Sequence, residues 1–274
     1  NWNIYIWRKK KMKIALIGYG NIANALVNGM ISSGKILLTD DLYIFHNNKN
    51  KIHQHDKCTF MYSGEKCNYL FDIIFLCVKP NDIETAINEN IDLFNDNQAV
   101  VSVAAGVKIK TIKNLIKRDS GVIRAMPNVC AVINESITGY CSDNNVQDDK
   151  KDHIEKIFRS IGHVREIGEE EMDSFTALFG SGPAYIIYFI ESLMKCEKFD
   201  SINEADKSLL ILNLLSSTSK MLLVTENISD LRKKVTSKGG TTEAAIKLFE
   251  DKDFMKIVRD AIQKAKKRSL EMSK

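Results

Sequence analysis

Two short clusters carry the residue types that chemistry needs. Gly18, Gly20 and Ala23 stand as G-x-G-x-x-A directly after the apolar run Ile14–Ile17. The first glycine permits a tight turn, the second lets backbone approach a pyrophosphate, and the alanine permits close packing of helix on strand. A helix opening there presents free N–H groups and a positive dipole end, so Ile17, Gly18, Tyr19, Gly20, Asn21 and Ile22 are candidate dinucleotide-binding residues. The second cluster is Ser237-Lys238-Gly239-Gly240-Thr241-Thr242, a glycine-rich loop ahead of the helical pattern TTEAAIKLFE. It reads as an anion site, as an ordinary N-cap with Glu243 in the first turn, or as both at once.

Further signals sit at the ends of apolar runs. "LCVKP" places Cys77, Val78, Lys79 and Pro80 after one, "SVAAGV" places Val103, Ala104, Ala105 and Gly106 after another, and "RAMPN" ends a third. In an open parallel sheet, ligands lie beyond the carboxyl ends of the strands, and small residues there leave room for a flat ring. The run LYIFH ends without the Asp or Glu that usually holds a ribose 2′-hydroxyl. It is followed by Asn47, Asn48, Lys49 and Lys51, which favours a 2′-phosphate and hence NADPH, with NADH as the alternative.

The elements that must position these clusters follow from hydrophobic periodicity. Strands are expected at 13–17, 42–46, 72–78, 99–104 and 121–126, with weaker ones near 136–141 and 163–167. Amphipathic stretches such as 21–33 and 108–118 alternate with them, which predicts a doubly wound, parallel α/β sheet. From about residue 168 the pattern becomes all-helical, giving a Rossmann domain over 12–167 and an all-α domain over 168–274. The first two helices of that second part are apolar nearly all round, so a dimer interface is expected.

Composition bounds the rest. The 274 residues are 44% hydrophobic and 27% charged, with a net charge of +4, which reads as a solvated surface and not a nucleic-acid stripe. No uninterrupted apolar run reaches 18 residues, so no membrane partner is expected. Met12 precedes the first strand and reads as the true start, with residues 1–11 ahead of it. The six cysteines have no CxxC spacing and form no cluster with histidine, so no metal site is expected and a reducing, cytoplasmic setting fits. The five histidines are expected mostly at the surface. Tyr185 reads as core or dimer contact, and Pro183 as a kink or helix entry.

With "FTALFGSGPAYIIYFIESL" and "KVTSKGGTTEAAIKLFE" added to GYGNIA, CVKP, SVAAGV and RAMPN in order, the chain resembles the pyrroline-5-carboxylate reductase family from about residue 12 to 270. The resemblance implies hydride transfer from NADPH or NADH to the cyclic imine, giving L-proline. It implies a Rossmann domain followed by an all-α dimerisation domain, and homodimers gathering into a larger ring such as a decamer. Asn47 and Asn48 would meet the adenosine end, and Cys77–Pro80 with Val103–Ala105 would flank the ribose and nicotinamide. Ser237, Gly239, Gly240, Thr241 and Thr242 would form the substrate loop, with the Thr242 hydroxyl on the ring nitrogen and the amides on the carboxylate. Glu169 would line the same pocket. Lys238 departs from a common proline, Asn48 from a common arginine and Gly64 from a common asparagine. β-Hydroxyacid dehydrogenases share the plan but need a catalytic lysine on the helix opening the second domain, and residues 169–190 contain none. A non-catalytic nucleotide-binding relative is the remaining alternative.

Overall fold

A computed structural model describes residues 11–32, 41–47 and 57–272. Eight strands form one sheet: β1 (Lys13–Ile17), β2 (Asp41–His46), β3 (Cys58–Tyr62), β4 (Ile73–Leu76), β5 (Ala99–Ser102), β6 (Gly121–Met126), β7 (Ser136–Ser142) and β8 (Gly162–Glu166). Their order is β3-β2-β1-β4-β5-β6-β7-β8. Every neighbouring pair is parallel except β6 and β7. That exception follows from the connection: β7 begins ten residues after β6 ends, with a short 3₁₀ turn between them, too little for a crossover helix. The expected doubly wound sheet is therefore present, with one antiparallel step.

Helices α1 (Asn21–Ser32), α2 (Ile83–Glu89), α3 (Ile109–Ile116) and α4 (Asp148–Arg159) alternate with these strands. Successive strand residues face opposite sides, so the sheet builds two cores. Ile14 and Leu16 pack with Leu26 and Met30 of α1 and Phe158 of α4. Ala15 and Ile17 pack with Ile83 and Ile87 of α2 and Ile112 of α3. The expected strands 72–78 and 99–104 end sooner, at Leu76 and Ser102, because both chains turn out of the sheet there into the segments 77–80 and 103–106. β3 is absent from the expectations: CTFMY is a five-residue strand at the sheet edge whose side chains stay partly exposed, which leaves little apolar signal.

The remaining helices are α5 (Met172–Phe175), α6 (Gly182–Met194), α7 (Glu204–Leu223), α8 (Ile228–Lys234), α9 (Thr241–Asp251) and α10 (Phe254–Met272). Contacts divide the chain into a first unit, running to Ser181 and taking in the residues from Ala265, and a second unit, Gly182–Lys264. The boundary expected at 167/168 falls inside the first unit. In the second unit, α6 and α7 leave Ile186, Ile187, Tyr188, Leu209 and Leu214 exposed. Pro183 enters α6 in its first turn, where its missing N–H costs nothing.

The stretch Glu169–Met194, 26 residues, has the length and composition of a membrane span. It is divided between two elements. Met172, Asp173 and Ala177 are buried in the first unit, leaving the 13 residues of α6. At 1.5 Å per residue α6 covers about 20 Å, short of a hydrocarbon core of about 30 Å. A π-turn, Thr176–Gly180, separates the two parts.

Of the described histidines, His163 is exposed and His46 half-buried, whereas His153, on α4, is buried, against the expectation of surface positions for most of them. It falls on the same face of α4 as Ile154 and Ile157. His53 and His55 lie outside the described residues.

Candidate active site

The first cluster sits where the strand order reverses. From β1 the chain moves to β2 on one side, and later returns to β4 on the other. Ligands bind at such a switch point because the two flanking loops diverge and leave a crevice. Gly18 turns the chain sharply, with φ +92°, and its N–H donates to the Phe45 carbonyl at 2.8 Å. A Cβ there would lie 2.7 Å from Val78 Cγ1 and 2.8 Å from the Cys77 carbonyl oxygen. The turn and the CVKP segment are thus in direct contact, and Cys77 N–H donates to the Ile17 carbonyl at 2.8 Å. Gly20 is the opposite case: a Cβ there would meet nothing within 4 Å. Helix α1 starts at the next residue, so its first amides have no intrahelical acceptor.

These segments enclose a cavity of about 350 Å³. Of the candidate cofactor residues, Ile17, Gly18, Tyr19, Gly20, Asn47, Cys77, Val78 and Lys79 all line it. Asn21, Ile22 and Pro80 adjoin those residues in the chain without lining it. Val103–Ala105 follow β5, the next strand across, where Val103 N–H donates to the Leu76 carbonyl at 3.2 Å and Ala104 is buried. Asn48 lies outside the described residues. The cavity also takes in residues the sequence reading passed over: His46 at the end of β2, Ser63 after β3, and Asp82 and Glu89 of the segment following Pro80. His46 was legible as the terminal residue of LYIFH, at the position where an NAD-binding domain carries its acid. Ser63 was not, because β3 itself was missed.

Burial makes the Cys77 thiol a poor nucleophile, pushing its pKa up to about 12. Cys58, on the neighbouring edge strand, is raised to about 11 for the same reason. Burial also raises the Tyr19 phenol, with a smaller push from Cys58. This part of the crevice therefore offers shape, amides and neutral side chains, not nucleophiles.

Glu169 lies elsewhere in the first unit. Its Oε1 accepts from the Ile109 N–H at 2.8 Å, at the first residue of α3, and stands 3.9 Å from Nη1 of Arg124. Arg124, on β6, is 2% exposed, and its Nη2 donates to Asp173 Oδ1 at 3.4 Å. Ser269 of α10 donates to that same oxygen at 2.6 Å. A guanidinium this deeply buried needs carboxylate partners, and removing one costs about 3–5 kcal/mol. The pair anchors the end of α10 and the start of α3, which follows Val103–Gly106. Nearby, Asn128 of the MPN segment donates from Nδ2 to the Phe179 carbonyl at 3.0 Å, inside the π-turn.

The second cluster forms a turn in the second unit. The Gly240 N–H donates to the Ser237 carbonyl at 3.1 Å and Gly239 has φ +74°, the pattern of a type II turn, whose third residue favours glycine. Lys238 occupies the second position, where proline is favoured. Gly240 is the N-cap of α9 and Thr241 and Thr242 are its first two residues, exposed within this unit, so their amides have no intrahelical acceptor. Glu243 Oε2 accepts from the Gly239 N–H at 2.7 Å. The turn borders a cavity of about 680 Å³ lined by Gly239, Gly240, Glu243 and Arg232 among others, though not by Thr242. Both readings of this loop survive: Glu243 satisfies one amide in the manner of a cap, and the Thr241 and Thr242 amides remain for an anion.

The description "Pyrroline-5-carboxylate reductase dimerisation" matches residues 169–272, and "NADP oxidoreductase coenzyme F420-dependent" matches residues 13–106. Pyrroline-5-carboxylate reductase 2 of Bacillus subtilis is 33% identical over 267 residues, covering 95% of each chain. Pyrroline-5-carboxylate reductase of Staphylococcus saprophyticus is 30% identical, over 96% of this chain and 98% of its own. Among solved structures, Plasmodium falciparum pyrroline carboxylate reductase with NADP bound superposes with a TM-score of 0.85 at 26% identity, over 96% of this chain and 98% of that one. The Coxiella burnetii pyrroline-5-carboxylate reductase gives 0.84 at 29% identity, over 96% and 99%. Likeness of this extent, running through both the strand-rich and the helical part, means that the chain belongs to the pyrroline-5-carboxylate reductase family.

Proposed function

We infer that the chain reduces L-1-pyrroline-5-carboxylate to L-proline with NADPH, NADH serving as the alternative cofactor. The observation that carries this reading is the open space at Gly20, against the free amides that begin α1, beside a cavity of about 350 Å³ at the switch point of the sheet. A dinucleotide pyrophosphate fits a helix start of that kind. The cofactor, when bound, supplies the hydride; the protein supplies orientation and electrostatics.

In this reading residues 12–167 form the cofactor domain and 168–274 the substrate and subunit-contact domain. The turn from Gly18 to Ile22 holds the pyrophosphate through the amides that open α1, and Asn47 and Asn48 meet the adenosine end. Cys77, Val78, Lys79 and Pro80, with Val103, Ala104 and Ala105, flank the ribose and the nicotinamide. Ser237, Gly239, Gly240, Thr241 and Thr242 seat the substrate, whose carboxylate lies on the free amides opening α9. The Thr242 hydroxyl positions or relays the proton at the ring nitrogen as the carbon is reduced. A hydroxyl suits that task because the imine is itself basic. Glu169 acts through what it holds, fixing the start of α3 and so the turn that carries Ala104 and Ala105. The exposed apolar residues of α6 and α7 are covered by a second copy of the chain, and the dimers assemble further into a ring such as a decamer. The setting is cytoplasmic, with no membrane or nucleic-acid partner.

The test is NADPH oxidation that depends on pyrroline-5-carboxylate and yields proline. Thr242→Ala lowers kcat by about tenfold or more. An unchanged rate in that variant removes the proposed role of the hydroxyl, and NADPH binding without turnover of any cyclic imine removes the enzymatic reading.

A further inference from the structure

We propose that Ser269, near the end of α10, is a positioning residue for the hydride transfer: through a buried chain of contacts it holds the turn after β5 on which the nicotinamide lies. The proposal rests on the reading that Val103, Ala104 and Ala105 flank the nicotinamide.

In that turn the Val107 N–H donates to the Ala104 carbonyl at 3.5 Å and Gly106 has φ +80°, the pattern of a type II turn with glycine in its third position. It is braced from outside at two points. At Gly106 a Cβ would lie 3.1 Å from the Cβ of Met272 and 3.3 Å from its carbonyl carbon, so the end of α10 lies directly against the turn. At the exit, the Ile109 N–H that opens α3 donates to Glu169 Oε1 at 2.8 Å. All of these groups belong to the first contact unit, which takes in the residues from Ala265.

Ser269 joins the two braces. It stands three residues before Met272, so the two are neighbours on one face of α10. Its hydroxyl is buried and donates to Asp173 Oδ1 at 2.6 Å. The same oxygen accepts from Arg124 Nη2 at 3.4 Å, and Arg124 Nη1 stands 3.9 Å from Glu169 Oε1. Arg124 is 2% exposed, and its Nη1 makes no hydrogen bond in this arrangement. Both contacts of the guanidinium are long, whereas a hydroxyl–carboxylate bond as short as that of Ser269 is charge-assisted and strong. Ser269 is therefore the firmest of these three links, and it places the carboxylate on which Arg124, and through it Glu169, is set. Misplacing a reacting group by about 1 Å costs up to about a hundredfold in rate, so slack in the turn reads out in catalysis.

The experiment compares binding of NADPH with binding of adenosine 2′,5′-bisphosphate, which carries the adenosine end of the cofactor without the nicotinamide, and measures kcat with pyrroline-5-carboxylate in excess. In Ser269→Ala, NADPH affinity and kcat each fall about fivefold to tenfold, while affinity for the bisphosphate stays within about twofold of the wild type. Ser269→Thr keeps the hydroxyl and returns both quantities to within about threefold of the wild type. Ile109→Pro cuts the chain at its other end. Proline is accepted at the first position of a helix, and Lys108 already has φ −77° and ψ 153°, the conformation that precedes proline, so the N–H that Glu169 accepts is lost while α3 keeps its start. This variant shows the same split between NADPH and the bisphosphate. A Ser269→Ala protein with wild-type kcat and NADPH affinity overturns the proposal, as does one that weakens both nucleotides equally, a loss of fold and not of position. A threonine variant no better than the alanine variant, or an Ile109→Pro protein that behaves as the wild type, overturns it too. A wild type that binds neither nucleotide overturns the cofactor reading itself, which separates the two failures.

Discussion

The two glycines of the first turn differ in what a methyl group would meet, and this difference separates stability from binding. In Gly18→Ala the new Cβ arrives 2.7 Å from Val78 Cγ1 and 2.8 Å from the Cys77 carbonyl oxygen, at φ +92°. The backbone conformation costs an L-residue about 1–2 kcal/mol. Overlap with a backbone oxygen that is itself fixed in the sheet adds about 1–3 kcal/mol. The sum, about 2–5 kcal/mol, corresponds to a fall in Tm of roughly 5–15 °C for a unit of this size. In Gly20→Ala the Cβ meets nothing within 4 Å, and the stability change stays within about 1 kcal/mol, the difference between glycine and alanine at an N-cap. That methyl group instead occupies the space against the α1 amides, so NADPH affinity falls by about tenfold or more. Differential scanning calorimetry reads the first quantity, and quenching of protein fluorescence by NADPH reads the second. If Gly20→Ala melts as early as Gly18→Ala, or binds NADPH like the wild type, the assignment of that open space to the pyrophosphate is wrong.

Three further outcomes follow from the same geometry. Tyr188 is 73% exposed on α6, so Tyr188→Asp places a charge on the surface assigned to the second copy; sedimentation velocity reads a shift toward monomer, and an unchanged oligomer moves the interface elsewhere. Lys238→Pro supplies the residue favoured at the second position of the Ser237–Gly240 turn and stabilises the protein by about 0.4–1 kcal/mol in urea titrations, chiefly by restricting the unfolded chain; a loss of stability means that the turn is not of type II. Cys77 and Cys141 both have thiols raised from 9.0 to about 12, through burial and, for Cys141, additionally Glu169. Above pH 9 the unfolded chain releases these protons while the folded protein keeps them, so stability falls as pH rises from about 9 toward 12, by up to about 1.4 kcal/mol per unit for each thiol. A Cys77→Ala, Cys141→Ala double variant shows a shallower decline in denaturant titrations across that window; an equal slope refutes it.

Much of the cofactor half was legible in local patterns. The apolar runs that became β1, β2, β4, β5 and β6 are buried on both faces, and a strand with no solvent side reads as a continuous hydrophobic stretch. The turn after β1 was legible for a similar reason, since Gly18 answers a local backbone demand at φ +92°. β3 was not, because an edge strand with half-exposed side chains carries little hydrophobic signal. His153 was misjudged, since a polar residue on an amphipathic helix betrays nothing of which side is covered.

The sequence by itself determined the fold class, the two glycine-rich turns and the change from strand-rich to helical chain, because each depends on residues near one another along the chain. Only the tertiary structure decided that His46 and Ser63 share a crevice with Gly18, since they arrive on separate strands. Likewise, only folding brings Arg124, Glu169, Asp173 and Ser269 together, from one strand and two helical segments. A contact between distant segments depends on register and packing, and no local spacing of residues records it.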